Sequence, residues 1–170
     1  MKKYLPVLLA GLLLLSACGG HGEAPMGEGP FLWFAADDRQ PDYGHGPALE
    51  VQPYEGEEPP RPEELLSALL AGPDQAGLRS PFPRGVALQQ CGWDEERPGV
   101  FLVNLSEQYG ALADISLSLA DYSIVLTLSQ VEGVEAVEIT AGGRRVSYRS
   151  HQLLSAQEAV LWDELADDAS

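Results

Sequence analysis

The sequence predicts an α+β domain, a small mixed β-sheet with one short and one long helix packed on it. Three observations predict this class. Apolar residues recur at helical spacing in two windows, around Leu65 to Leu70 and Leu119 to Leu128, and they alternate at strand spacing in several short segments punctuated by Gly and Pro. Size is the third: 170 residues with 45% hydrophobic content suffice for a single core.

The elements follow in chain order. Phe31-Leu32-Trp33-Phe34-Ala35 is a short aromatic run bounded by turn formers, which predicts a strand buried on both faces. Asp37 to Pro47 reads as a loop, and its Asp37, Asp38 and Asp42 lack the alternating ligand spacing and terminal glutamate of a calcium loop. Ala48 to Gln52 predicts a weaker strand, and Pro53 places it at an edge or an end. Pro62 suits the first position of a helix whose first turn carries Glu63 and Glu64, whose apolar face carries Leu65, Leu66, Leu69 and Leu70, and which stops at Gly72-Pro73. After a loop with Pro81, Pro83 and Gly85, the alternating stretch Val86 to Cys91 pairs with Val100 to Leu105 across a turn holding Pro98-Gly99, an antiparallel hairpin.

Ile115 to Val131 alternates like a strand at first, but Leu119, Tyr122 and Leu126 continue at helical intervals, and its length favours the main core helix, with Leu126 buried in it. Val134 to Thr140 and Arg144 to Tyr148 form a strand pair around Gly142-Gly143. Ser155 and Glu158 have capping-box spacing and open a short C-terminal helix through Leu165, carrying Leu161 and Trp162 and followed by an acidic tail.

The N-terminus has a different logic. Lys2 and Lys3 precede an almost unbroken apolar run from Leu5 to Leu15, the layout of a secretion signal. As a helix that run rises only about 16 Å, roughly half the hydrocarbon core of a bilayer, so a removed signal over residues 1–17 is expected. Leu15-Ser16-Ala17-Cys18 resembles the lipobox of bacterial lipoproteins. The resemblance implies that the Cys18 thiol carries a diacylglyceryl group and becomes the first residue of the mature chain, anchored to the membrane on its extracytoplasmic face. Residues 18–30, with Gly and Pro and scarcely an apolar side chain, read as a flexible tether.

Composition removes whole classes of function. Against 26 acidic residues stand 10 Lys and Arg, a formal charge of −16, so binding driven by nucleic-acid phosphates is disfavoured. Anionic lipid headgroups also repel such a surface, which leaves the lipid on Cys18 as the membrane contact. With Cys18 so used, Cys91 has no disulfide partner and reads as a buried core cysteine. His21, His45 and His151 are far apart with no paired cysteines, so no metal and no cofactor are expected. The acidic runs Glu55, Glu57, Glu58 and Asp94, Glu95, Glu96 fall in loops, where solvated charge is the expectation.

Several stretches between Phe31 and Tyr148 resemble the GerMN domain, the sporulation and germination module of bacterial envelope lipoproteins. Glu64-Leu65-Leu66 leading to Leu69-Leu70-Ala71-Gly72-Pro73 is similar to the family's helix and its Leu-Leu-x-Gly-Pro ending, and Ser80 to Gly85 to the turn that follows. Val103-Asn104-Leu105-Ser106 is similar to a Val-Asp-Leu-Ser strand end, with Asn104 in place of the commoner acid. Ile124 to Leu128, Gly133-Val134, Val137-Glu138-Ile139 and Gly143 match the long helix, strand and hairpin in order. The resemblance implies one GerMN-like domain over residues 31–150, with 151–170 as C-terminal helix and tail, and an envelope setting without a catalytic residue.

The expected function is therefore a non-catalytic binding or scaffold module for an envelope protein or cell-wall partner. An enzyme acting on peptidoglycan or another glycan through a pair of carboxylates is the alternative, and needs one acid protonated opposite one ionised. Trp93, beside Asp94 in the hairpin turn, is the candidate binding aromatic.

Overall fold

A computed structural model describes residues 29–37 and 48–159. The expected signal, Cys18, most of the tether, the loop around Asp38 and Asp42, and the helical residues Leu161, Trp162 and Leu165 lie outside the described residues. Its strands are β1 (Phe31–Ala36), β2 (Leu49–Pro53), β3 (Leu78–Arg79), β4 (Leu88–Trp93), β5 (Val100–Leu105), β6 (Ala136–Ala141), β7 (Arg144–Arg145) and β8 (Leu153–Leu154); its helices are α1 (Pro62–Ala71) and α2 (Asp114–Leu128).

The α+β expectation holds, with one difference: the strands divide between two sheets. One is antiparallel with order β2-β1-β3, and the other has order β4-β5-β6-β7, with β8 also on β6. The second is mixed because β5 and β6 are parallel, Val100 opposite Ala136 through Leu105 opposite Ala141. A parallel pair needs a long crossover, and α2 is the helix in it. One core draws on both sheets and both helices and contains Phe34, Leu65, Leu66, Leu69, Phe101, Leu105, Tyr109, Ile124, Leu128 and Ile139.

α1 forms as its sequence requires. Pro62 occupies the first turn, Arg61 and Glu64 form a capping box and an ion pair, and Gly72 ends the helix at φ 96°, a left-handed-side conformation that glycine adopts without Cβ strain. Leu65, Leu66 and Leu69 are fully buried.

α2 explains why its periodicity reads two ways. It contacts β1, α1 and β6, so it is buried on several sides rather than along one stripe. Its buried polar residues Ser123 and Thr127 serve the free edge of β1: Thr127 Oγ1 accepts from Trp33 N–H at 3.1 Å, and Ser123 Oγ donates to Trp33 carbonyl. One turn on, the Gln130 carboxamide accepts from Phe31 N–H at 2.8 Å and donates to Phe31 carbonyl at 2.7 Å. Side chains thus stand in for a strand where β3 pairs only with Ala35 and Ala36. Leu126 corrects the expectation of full burial: it is half-buried, whereas Ile124, Val125 and Leu128 are fully buried.

The hairpin β4–β5 forms as expected, but β4 starts at Leu88 and carries an irregularity between Leu88 and Gln90. Cys91 stands opposite the core residue Val103 on β4, an end strand of its sheet, and is half-buried, not fully buried as expected; burial still pushes its thiol pKa up. Ser155 and Glu158 make the expected capping box, but the described turn that it opens is a single 3₁₀ turn, Ala156–Glu158. β3 and β8, two residues each, carry no periodic signal of their own.

Candidate functional site

The core face of the five-stranded sheet holds Phe101, Val103, Leu105, Val137, Ile139 and Ala141, all buried. Strand alternation sends Leu102, Asn104, Glu138 and Thr140 to the opposite face, with Gln90 and Gly92 beside Asn104 and Leu102 by register. These residues line an open groove of about 390 Å³ that also reaches Trp93, Arg97 and Gly143.

Both ends of the groove are tied by hydrogen bonds. At one, Arg97 donates from Nη2 to Glu138 Oε2 at 2.7 Å and from Nε to Asp94 Oδ2 at 2.7 Å. Asp94 also accepts from the Glu96 and Arg97 N–H groups, and the Glu96 bond foremost, then Arg97, holds its carboxyl below the usual range. At the other end, Asn104 Oδ1 accepts from Thr140 Oγ1 at 3.0 Å and from Gly143 N–H at 2.8 Å, while its Nδ2 donates to Gln89 Oε1 at 3.1 Å. A carboxylate is able to accept the first two bonds but not to make the third.

Trp93 stands at the groove's margin and is 48% exposed. Its ring meets Phe101 edge-on at a centroid distance of 5.2 Å, and the indole also reaches Gly133. The residue therefore joins the core on one side and solvent on the other.

A second cavity, of about 270 Å³, opens between the first half of α2 and residues 148–158, with Tyr122, Tyr148, His151 and Glu158 on its walls. At its floor, Arg149 donates from Nε to Asp121 Oδ2 at 2.7 Å and from Nη1 to the Ile139 carbonyl at 2.6 Å. Tyr109 donates to Asp121 Oδ1 at 2.5 Å, and its phenol pKa stands well above the ordinary value because of burial first and the Asp121 charge second. Asp121 is thus bound on both oxygens, an interior brace between α2, Tyr109 and Arg149.

Residues 33–147 match the Germane family, described as sporulation and spore germination. The chain belongs to the Germane family. Among solved structures, the first GerMN domain of the sporulation protein GerM from Bacillus subtilis is similar with a TM-score of 0.50 and 15% identity, over 65% of this chain and 88% of that one. The tandem GerMN domains of the same protein give 0.47 and 14%, over 74% of this chain and 42% of that one. A candidate lipoprotein of Clostridium perfringens gives 0.43 and 19%, over 70% and 80%. At 15% identity the likeness to the first GerMN domain of GerM concerns the fold. No curated protein matches the chain.

In this Germane domain the residues singled out in the sequence do not converge on one centre. Trp93 borders the groove, Glu95 and Glu96 are exposed in the hairpin turn, and Glu55, Glu57 and Glu58 are exposed in the segment before α1. Asp94 departs from the expectation of a solvated charge, because it is hydrogen-bonded into the turn and to Arg97. Among the described residues no group of His, Cys, Asp and Glu side chains is arranged to hold a metal ion, and no helix is long and apolar enough to cross a membrane. Two features escaped the sequence reading: the Tyr109–Asp121–Arg149 brace and the groove. The brace left one trace, an acid within an otherwise apolar helical window. The groove left the alternating polar partners of the buried strand residues.

Proposed function

We propose that the protein is a lipid-anchored envelope lipoprotein, displayed on the extracytoplasmic side by Cys18 and a tether, whose Germane domain binds a protein or cell-wall partner in sporulation or germination without catalysing a reaction. The observation that carries the reading is the family match over residues 33–147, which spans nearly the whole described fold. The lipobox-like Leu15 to Cys18 supports the anchor, and two acyl chains on one cysteine suffice to hold a protein stably at a bilayer. The engagement of Asp121 by Arg149 and Tyr109 supports a binding role over acid–base chemistry.

The test is crosslinked co-purification from native membranes, run with the wild-type chain and with Cys18→Ala. Wild type is expected in the membrane fraction with an added lipid mass and a crosslinked envelope partner; Cys18→Ala is expected without the lipid. Wild-type protein in the medium with no lipid mass overturns the anchor. Release of muropeptides by the purified protein, lost on changing a carboxylate, overturns the non-catalytic reading.

A further inference from the structure

We propose that the outer face of the β4–β5–β6 sheet is a recognition groove for an uncharged glycan chain bearing hydroxyl and acetamide groups. The inference deepens the binding-module reading and rests on it.

Four observations carry it. The first is charge: in a chain of formal charge −16, the groove lining holds one cation and one anion, Arg97 and Glu138, and these pair with each other. Asp94, which shares Arg97, is outside the lining. A neutral patch on an acidic protein suits a neutral ligand and disfavours phosphodiester or polycarboxylate chains.

The second is the chemistry of the surface. Gln90, Asn104 and Thr140 bring carboxamide and hydroxyl groups to the groove; Asn104 and Thr140 are bonded to each other, whereas the exposed Gln90 side chain makes no hydrogen bond within the described residues, leaving both a donor and an acceptor for a ligand. Leu102 on the floor supplies apolar surface for the C–H face of a sugar ring, whereas Trp93, opposite Phe101 in the register, turns its indole to the other face of the sheet.

Shape is the third. A Cβ built on Gly92 meets no atom within 4 Å, so the floor opens where its register partner Leu102 stands beside it. The volume of about 390 Å³ falls in the size range of small-molecule sites.

The fourth concerns what the face withholds. An extended peptide gains affinity from main-chain pairing at a sheet edge. Here β5, which carries Leu102 and Asn104, is hydrogen-bonded to β4 and β6 on its two sides, so the floor offers side chains, and main chain open to a further strand lies along the outer edge of β4, to the side of the floor. A ligand lying across it is recognised through hydroxyls and amides.

The experiment titrates the full-length protein with the tetramer of N-acetylglucosamine and follows backbone amide shifts by NMR. Saturable shifts are expected at Gln90, Gly92, Leu102, Asn104 and Thr140. Gly92→Leu, which projects into open space, is expected to weaken binding by about tenfold or more, with an unchanged melting temperature. Gln90→Ala alters an exposed side chain with no hydrogen bond among the described residues and is expected to weaken binding too, so the test stands even if Gly92→Leu fails to fold. No shift up to about 10 mM tetramer, shifts confined to residues outside the groove, or undiminished binding by folded Gly92→Leu or by Gln90→Ala each overturn the proposal. If the glycan fails while a crosslinked envelope partner persists, the glycan groove falls and the binding module stands; if both fail, both fall.

Discussion

Arg149 closes on Asp121 inside the domain, Nε to Oδ2 at 2.7 Å, with the two side chains only 4% and 5% exposed. The pair joins α2 to the chain that follows β7, and the Ile139 carbonyl, on the stretch of β6 between β7 and β8, receives a further Arg149 N–H. Arg149→Met strands a buried carboxylate and is expected to cost about 3–5 kcal/mol. Asp121→Leu combined with Arg149→Met is expected to cost much less than the two single changes added together, because no charge is then left unpaired. Urea unfolding of the four proteins in this cycle measures both effects; additive losses refute the coupling.

Tyr109 gives the fold an alkaline limit. Its folded pKa is raised by burial and then by Asp121, whereas an unfolded tyrosine releases its proton near about pH 10. Above that pH the unfolded chain loses a proton that the folded chain keeps, so stability is full below about pH 10 and falls as pH rises toward the folded value. Tyr109→Phe is expected to flatten this decline while lowering stability at neutral pH by about 1–3 kcal/mol, since Asp121 loses a donor. Denaturation midpoints between neutral and alkaline pH decide it: an equal slope in both proteins refutes the assignment.

Two neighbouring helical positions separate a core helix from a surface one. Ile124→Ala is expected to destabilise by about 2–5 kcal/mol, and half-buried Leu126→Ala by roughly half as much. Thermal and chemical unfolding of both variants check the order, and a larger loss at Leu126 contradicts the packing.

Trp93 is expected to show a split effect. Trp93→Ala removes the edge-on contact with Phe101 and is expected to lower stability by about 1–2 kcal/mol. If Trp93 anchors a partner, the same change weakens binding by about 2 kcal/mol or more. Parallel measurements of unfolding and of partner affinity separate the two, and complete loss of folding assigns the residue to the core.

Much of the fold was legible because local rules and tertiary packing agree at the residues concerned. Pro62 and Gly72 bound α1 by their own backbone preferences, and the alternation from Val100 to Leu105 reports a strand with one covered face. Legibility ended where tertiary contacts decide. One edge of β1 is met by the side chains of Ser123, Thr127 and Gln130, which no local pattern of Phe31 to Ala36 encodes. Leu126 misled because a helix buried on several sides has no single apolar stripe to extrapolate. The brace escaped because Tyr109, Asp121 and Arg149 are brought together only by the crossover and the returning chain. Trp93 was readable as a turn-proximal aromatic, whereas the groove beside it required the register of three strands.

The Gln130 carboxamide that completes β1 lies 99 positions downstream of Phe31. That distance orders assembly in time. A chain emerging from its N-terminus exposes the apolar Phe31 strand long before its partner in α2 exists, and such non-local pairing is slow because loop closure precedes its reward. The β5–β6 pair imposes the same delay, since its crossover must be in place first. A chain cut short before Gln130 leaves the Phe31 N–H and carbonyl without their carboxamide, and one cut short before Ser123 leaves those of Trp33 without side-chain partners as well.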